Sequence, residues 1–171
     1  MEHAIDDAQV EARVLAAVAA LGADYEAVWI DPALAATADF CEAYGYDPSQ
    51  SGNCILVASR SEPPAYCACV IRATRQLDVN RRVRKLLGVR RASFASPDAT
   101  VQVTGMLPDG VTPLGLPEDL PVYVDAGLLE SERVVVGGGS RRLKLVLPAA
   151  ALTALPGAEV VVDLAREPQR E

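Results

Sequence analysis

The chain has 171 residues, half of them hydrophobic, and a formal net charge of −7. One core accounts for a chain of this size, and an acidic balance excludes indiscriminate nucleic-acid binding by overall field. No run approaches the ~18 uninterrupted apolar residues of a spanning helix, and the start, Met1 to Asp7, is acidic where an export signal is basic, so a cytoplasmic protein with no membrane partner is expected.

Val10, Val14, Val18 and Leu21 recur at helical spacing and predict an amphipathic helix over 7–22, stopped by Gly22. Residues 25–30 then read as a strand. Asp31-Pro32 offers an N-cap and a first-turn proline, which predicts one helix through Tyr44 with Ala35, Ala38 and Cys41 inward and Gly45 as its stop; 46–52 is a loop. The apolar runs 54–59 and 66–73, separated by Glu62-Pro63-Pro64, predict a hairpin with a wide turn. Asp78 caps a helix in which Val79, Val83, Leu86 and Leu87 form an apolar stripe, Arg81, Arg82, Arg84 and Lys85 fall largely off it, and Gly88 closes it. Ser96-Pro97 starts another helix toward Thr104, and Trp29 and Phe94 are expected in the core. Residues 121–124, 133–136 and 143–147 read as strands, 148–154 as a short helix and 159–164 as a closing strand before a charged, disordered tail. This order predicts an α/β (α+β) fold whose mixed, mostly antiparallel sheet is surrounded by short helices.

Chemistry-bearing residues are sparse. Of the four cysteines only Cys67 and Cys69 are close in sequence, and the one histidine, His3, lies at the very start, so reduced core cysteines and no metal site are expected. A Ser-His-Asp or Cys-His arrangement is excluded on the same count, and Asp125 reads as a helix cap rather than a base. Arg72, Arg75, Arg81, Arg82, Arg84, Lys85, Arg90 and Arg91 fall in a stretch holding one acid, Asp78, which suits a polyanion, although a solvated helix face explains the run as well.

Between the runs 134–136 and 143–147 lies Gly137-Gly138-Gly139-Ser140-Arg141. A flexible hairpin turn is the plainer reading, but three glycines cost entropy that a plain turn does not require, and bare N–H groups at a strand end bind an anion or oxyanion. Together with Asp109-Gly110-Val111-Thr112-Pro113, the run Ser51-Gly52-Asn53-Cys54-Ile55-Leu56-Val57 and the blocks around them, this loop resembles the YbaK/EbsC family, the free-standing relatives of the editing domain inserted in bacterial prolyl-tRNA synthetases. The resemblance extends over residues 25–165 and implies a single domain, 1–171, with a curled central sheet. It also implies hydrolysis, in trans, of the ester of mischarged aminoacyl-tRNA: translation proofreading that is substrate-assisted and free of metal and cofactor. The partner is then aminoacyl-tRNA, and a homodimer or a transient association with a synthetase is compatible with that work.

The resemblance further implies a pocket formed by Gly110 and Pro113 of the first loop and Gly137, Gly138 and Gly139 of the second, with Asp109, Thr112, Ser140 and Arg141 against substrate and Arg81, Arg82, Arg84 and Lys85 on the tRNA backbone. Three positions depart from the family pattern. Asp109 stands for the first glycine of Gly-x-x-x-Pro, Gly137 for a serine, and Asn53 for the lysine of an early strand. The other lysine-bearing candidate, the 142–147 strand, alternates so that Lys144 is expected to face solvent. The departure at Asn53 leaves open an inactive family member that binds aminoacyl-tRNA, a nucleotide or a protein partner.

Overall fold

The computed structural model describes residues 5–169; His3 lies outside them. Helix α1 is Asp7–Ala20, capped by Asp6, whose side chain accepts from Ala8 N at 3.0 Å, and its buried stripe is Val10, Val14 and Val18 as the spacing predicts. Strand β1 is Glu26–Trp29. The predicted helix over 31–44 is two pieces: a 3₁₀ turn, Pro32–Leu34, capped by Asp31, then α2, Thr37–Tyr44, ended by Gly45 at φ 78°. The extended Ala36 between them rotates the second piece, so Phe40 and Cys41 point inward and Ala38 is exposed, a correction to the single-helix register.

Strands β2 (Gly52–Ser59) and β3 (Tyr66–Arg72) form the expected antiparallel hairpin, followed by a short β4, Gln76–Leu77. The basic segment winds as a π-helix over Val79–Val83, with Asp78 accepting from Arg81 N at 3.2 Å, and continues as α3, Arg84–Leu87. Strand β5 (Ala92–Phe94) and α4 (Pro97–Thr104, capped by Ser96) come next, then β6 (Val122–Asp125), β7 (Arg133–Gly137), β8 (Leu143–Pro148), β9 (Ala158–Val161) and β10 (Ala165–Arg166). The predicted closing strand over 159–164 ends earlier. The chain turns at Asp163, a non-glycine residue at φ 59°, and its last strand, β10, pairs with β4 instead.

The strands form a five-stranded sheet in the order β5-β2-β3-β6-β9 and a three-stranded antiparallel sheet β1-β8-β7. The architecture is thus mixed and mainly antiparallel; β3–β6 and β6–β9 run parallel. The two sheets meet where Ser51 bridges Val135. A Cβ at Gly52 would lie 3.2 Å from Val134 Cγ2 and 3.3 Å from Leu128 Cδ2, so glycine at that position lets the start of β2 close against β7. Trp29 and Phe94, expected in the core, are 55% and 60% exposed, because β1 and β5 are edge strands with one neighbour each. Asp125 stands at the N-cap of the 3₁₀ turn Ala126–Glu130 without a side-chain cap bond; its carboxylate accepts from Leu164 N at 3.2 Å.

Candidate functional site

The junction of the two sheets is open on one side and forms a cavity of about 360 Å³. Its walls are the start of β2, the Ala35–Phe40 stretch, Pro108, Asp109 and Val111, and strands β7 and β8. Asn53 faces it from β2, and its side-chain carbonyl accepts from Thr37 Oγ1 at 3.2 Å, while its amide protons meet no protein acceptor among the described residues. Gly137 lines the opposite wall. At the rim, Arg141 joins Asp109 in an ion pair of 2.6 Å and reaches the Pro32 carbonyl with Nη2 at 3.3 Å, so three segments are tied together over the mouth.

Lys144 also enters this cavity, which corrects the solvent-facing expectation. The alternation along β8 is real: Leu143, Leu145 and Leu147 belong to the main core. The opposite face, however, is covered by a second apolar layer of Ile30, Ala35, Phe40, Cys41, Val135 and Val146. Lys144 is therefore 9% exposed, donates to the Ala35 carbonyl at 2.9 Å and sits 5.5 Å from the centroid of the Phe40 ring. Burial pulls its pKa below the ordinary lysine range, while Cys41 and Asp109 push it back up and Arg141 adds to the lowering.

The model of the aminoacyl-tRNA editing domain matches residues 31–155, a span that contains every wall of this cavity. The chain belongs to that family. The editing-domain fold is also seen in a solved structure of a candidate trans-editing enzyme for prolyl tRNA synthetase, 23% identical, at a TM-score of 0.79 over 93% of this chain and 98% of that one. A protein described only as hypothetical is 24% identical, with a TM-score of 0.80 over 90% and 99% of the two chains. A candidate signal transduction protein from Marinobacter aquaeolei matches at 21% identity and a TM-score of 0.59, covering 91% of this chain but 31% of its own.

In this editing domain the expected site residues separate into two groups. Asn53, Asp109, Gly137 and Arg141 line the cavity; Gly110, Thr112, Pro113, Gly138, Gly139 and Ser140 are buried beside it and are not among its lining residues. The loops' glycines serve close packing. A Cβ at Gly110 would lie 2.7 Å from the Gly139 carbonyl oxygen, one at Gly138 would meet Leu143 Cγ at 2.4 Å, and one at Gly139 (φ 92°) would meet Val10 Cγ1 at 2.5 Å. Two of the supposedly free N–H groups are spent: Gly110 N donates to Leu107 O at 2.8 Å and Gly138 N to Leu143 O at 2.9 Å. Ser140 turns inward and donates to Glu11 at 2.6 Å.

Arg81, Arg82, Arg84 and Lys85 lie outside the cavity, on the π/α segment beside β5, at the far end of β2. Sequence reasoning missed Lys144, Phe40 and Thr37. A single lysine inside the run Leu143 to Leu147, in a chain with two lysines in all, was the one readable signal, since a charge in such a strand is costly.

Proposed function

We propose that this protein hydrolyses, in trans, the ester of a mischarged aminoacyl-tRNA, and that the cavity between β2 and β7–β8 receives its aminoacyl-adenosine end. The observation that carries this reading is the convergence of Asn53, Gly137 and the Asp109–Arg141 rim on one cavity of about 360 Å³ in an editing-domain chain. Water adds to the ester carbonyl carbon while the C=O electron pair moves onto oxygen. The C–O bond to the ribose then breaks, its electron pair leaves on the ribose oxygen, and the proton given up by the water ends there. Amino acid and a free tRNA hydroxyl result. The Asn53 amide donates to the substrate, and the vicinal ribose hydroxyl orients the water, so neither metal nor cofactor is needed.

Phosphate contacts on this reading come from a second surface. Arg60, Arg84, Arg90 and Arg91 line adjoining clefts, and among the described residues none of the four forms an ion pair with an acid. Arg60, just past the end of β2, is seven residue steps from Asn53, roughly 23 Å at ~3.3 Å each along an extended strand, so a stem held by the clefts presents its single-stranded end to the cavity. Arg84 joins this surface, with Arg81, Arg82 and Lys85 on the same segment, and the protein works in the cytoplasm, where tRNA is charged.

The test is amino-acid release from a panel of mischarged tRNAs. Release above the buffer rate for at least one pair supports the assignment. No release from any, with retained tRNA binding, would replace it with the non-catalytic reading that Asn53 in the lysine position favours.

A further inference from the structure

We infer that Lys144 delivers from β8 the positive charge that the family pattern places on β2 at the position of Asn53, and that its ammonium contacts the carbonyl oxygen of the aminoacyl ester. This inference rests on the deacylase reading above.

The first argument is cost. Lys144 is buried, and among the described residues no carboxylate pairs with it. Its neighbours in the strand are Leu143 and Leu145, and a leucine or methionine there would remove the desolvation penalty. An ammonium has three protons, and Ala35 O takes one; the others find no protein acceptor among the described residues.

The second argument is place. Lys144 is paired across the strands with Gly137, where a Cβ would lie 3.1 Å from Val111 O and 3.3 Å from Gly110 O, so the glycine admits the backbone of the first loop, and both residues line the cavity that Asn53 faces. Lys144 lies at nine-tenths burial, whereas the Asp109–Arg141 pair at the rim is half exposed. The leading end of an entering aminoacyl-nucleotide is its aminoacyl group with the ester directly behind it, and phosphates trail toward the rim. A buried cation therefore meets the ester, where negative charge develops as water adds. The groups facing it are Cys41 and Asp109, which favour its charge, and Arg141, which opposes it.

The experiment compares Lys144→Met, Asn53→Lys and the double variant on a mischarged tRNA that the wild type deacylates. Lys144→Met should lower kcat by about 10²–10³ with KM nearly unchanged, as for loss of one oxyanion donor. Asn53→Lys in that background should restore at least a tenfold part of the loss, which a purely structural bond to Ala35 would not allow. Turnover of Lys144→Met within threefold of wild type, or a loss that Asn53→Lys leaves untouched, overturns the inference while deacylation itself stands. A wild type inert on every tRNA overturns the deacylase reading instead, and a second measurement then decides the contact. With two lysines in the chain, the ¹⁵Nζ signal of Lys144 is assigned by elimination. Adenosine carrying alanine through a 3′ amide should shift it, and an unmoved signal at saturation refutes the contact. The same measurement on the wild type decides the question if Lys144→Met fails to fold.

Discussion

The glycine loop owes its position to one buried carboxylate, and removing that charge should be felt in stability. Glu11, on α1, has a side chain 4% exposed and accepts from Ser140 Oγ at 2.6 Å and from Arg142 Nε and Nη2, both at 2.7 Å. The Arg142 hydrogen bonds hold its carboxyl below the usual range against the opposing effect of burial, with Ser140 adding to the lowering. Glu11→Gln keeps the shape and removes the charge. A hydrogen bond to a charged partner contributes about 1.5–3 kcal/mol; Ser140 is buried and counts in full, whereas the half-exposed Arg142 adds little beyond it. The variant should lose about 2 kcal/mol, a melting midpoint lower by about 4–8 °C in a chain of this size. Because the folded pKa lies below the unfolded one, near ~4.3, the stabilisation is complete above that value and is lost as pH falls through the folded pKa. Urea unfolding followed by far-UV circular dichroism should thus show a wild-type advantage that is constant near neutrality and shrinks below about pH 4. An advantage absent at neutrality, or growing on acidification, would refute the role given to the Glu11 carboxylate.

Gly139→Ala should destabilise the fold by about 2–4 kcal/mol, since it combines a left-handed φ with a close approach to Val10 Cγ1; a urea midpoint near wild type would contradict this. Arg60→Glu combined with Arg91→Glu should weaken tRNA binding and flatten the logarithmic salt slope by about two, and an unchanged slope would remove these clefts from the interface. Amino-acid release should persist in EDTA, because among the described residues no three His, Cys, Asp or Glu side chains gather to hold a metal ion; loss on chelation with recovery on adding zinc would overturn the metal-free route.

Local signals were read correctly where the chain's own chemistry decides the outcome. Asp78 and Ser96 cap as their side chains dictate, and Gly45, Gly88 and Gly105 end helices at φ 78°, 67° and 69°. Failures arise where tertiary partners decide. Apart from the rarity of lysine in the chain, nothing in Leu143 to Leu147 indicates that an α2 layer covers the second face of β8, so Lys144 reads as surface when only one face is assumed buried. Trp29 and Phe94 read as core because large aromatics usually are, but edge strands leave them uncovered. The triple glycine was located correctly, but reading it as a row of free donors fails at Gly138. Whether an N–H is free depends on the acceptor opposite, and for Gly138 that is the Leu143 carbonyl.

That spent N–H changes where the donors of this cavity come from. With Gly110 and Gly138 bonded to backbone, and Gly139 packed on α1, the loops hold the wall in place while side chains from two different sheets line the cavity. A cavity built between sheets can take a cation from either one, because β2 and β8 both present side chains into the same space. The pattern that places lysine on β2 therefore constrains the location of the charge, and the strand that carries it is free to differ. On that argument Asn53 and Lys144 form one exchange: the amide on β2 needs only Thr37 to orient it, and the ammonium on β8 needs only the Ala35 carbonyl to hold it at the cavity both residues line.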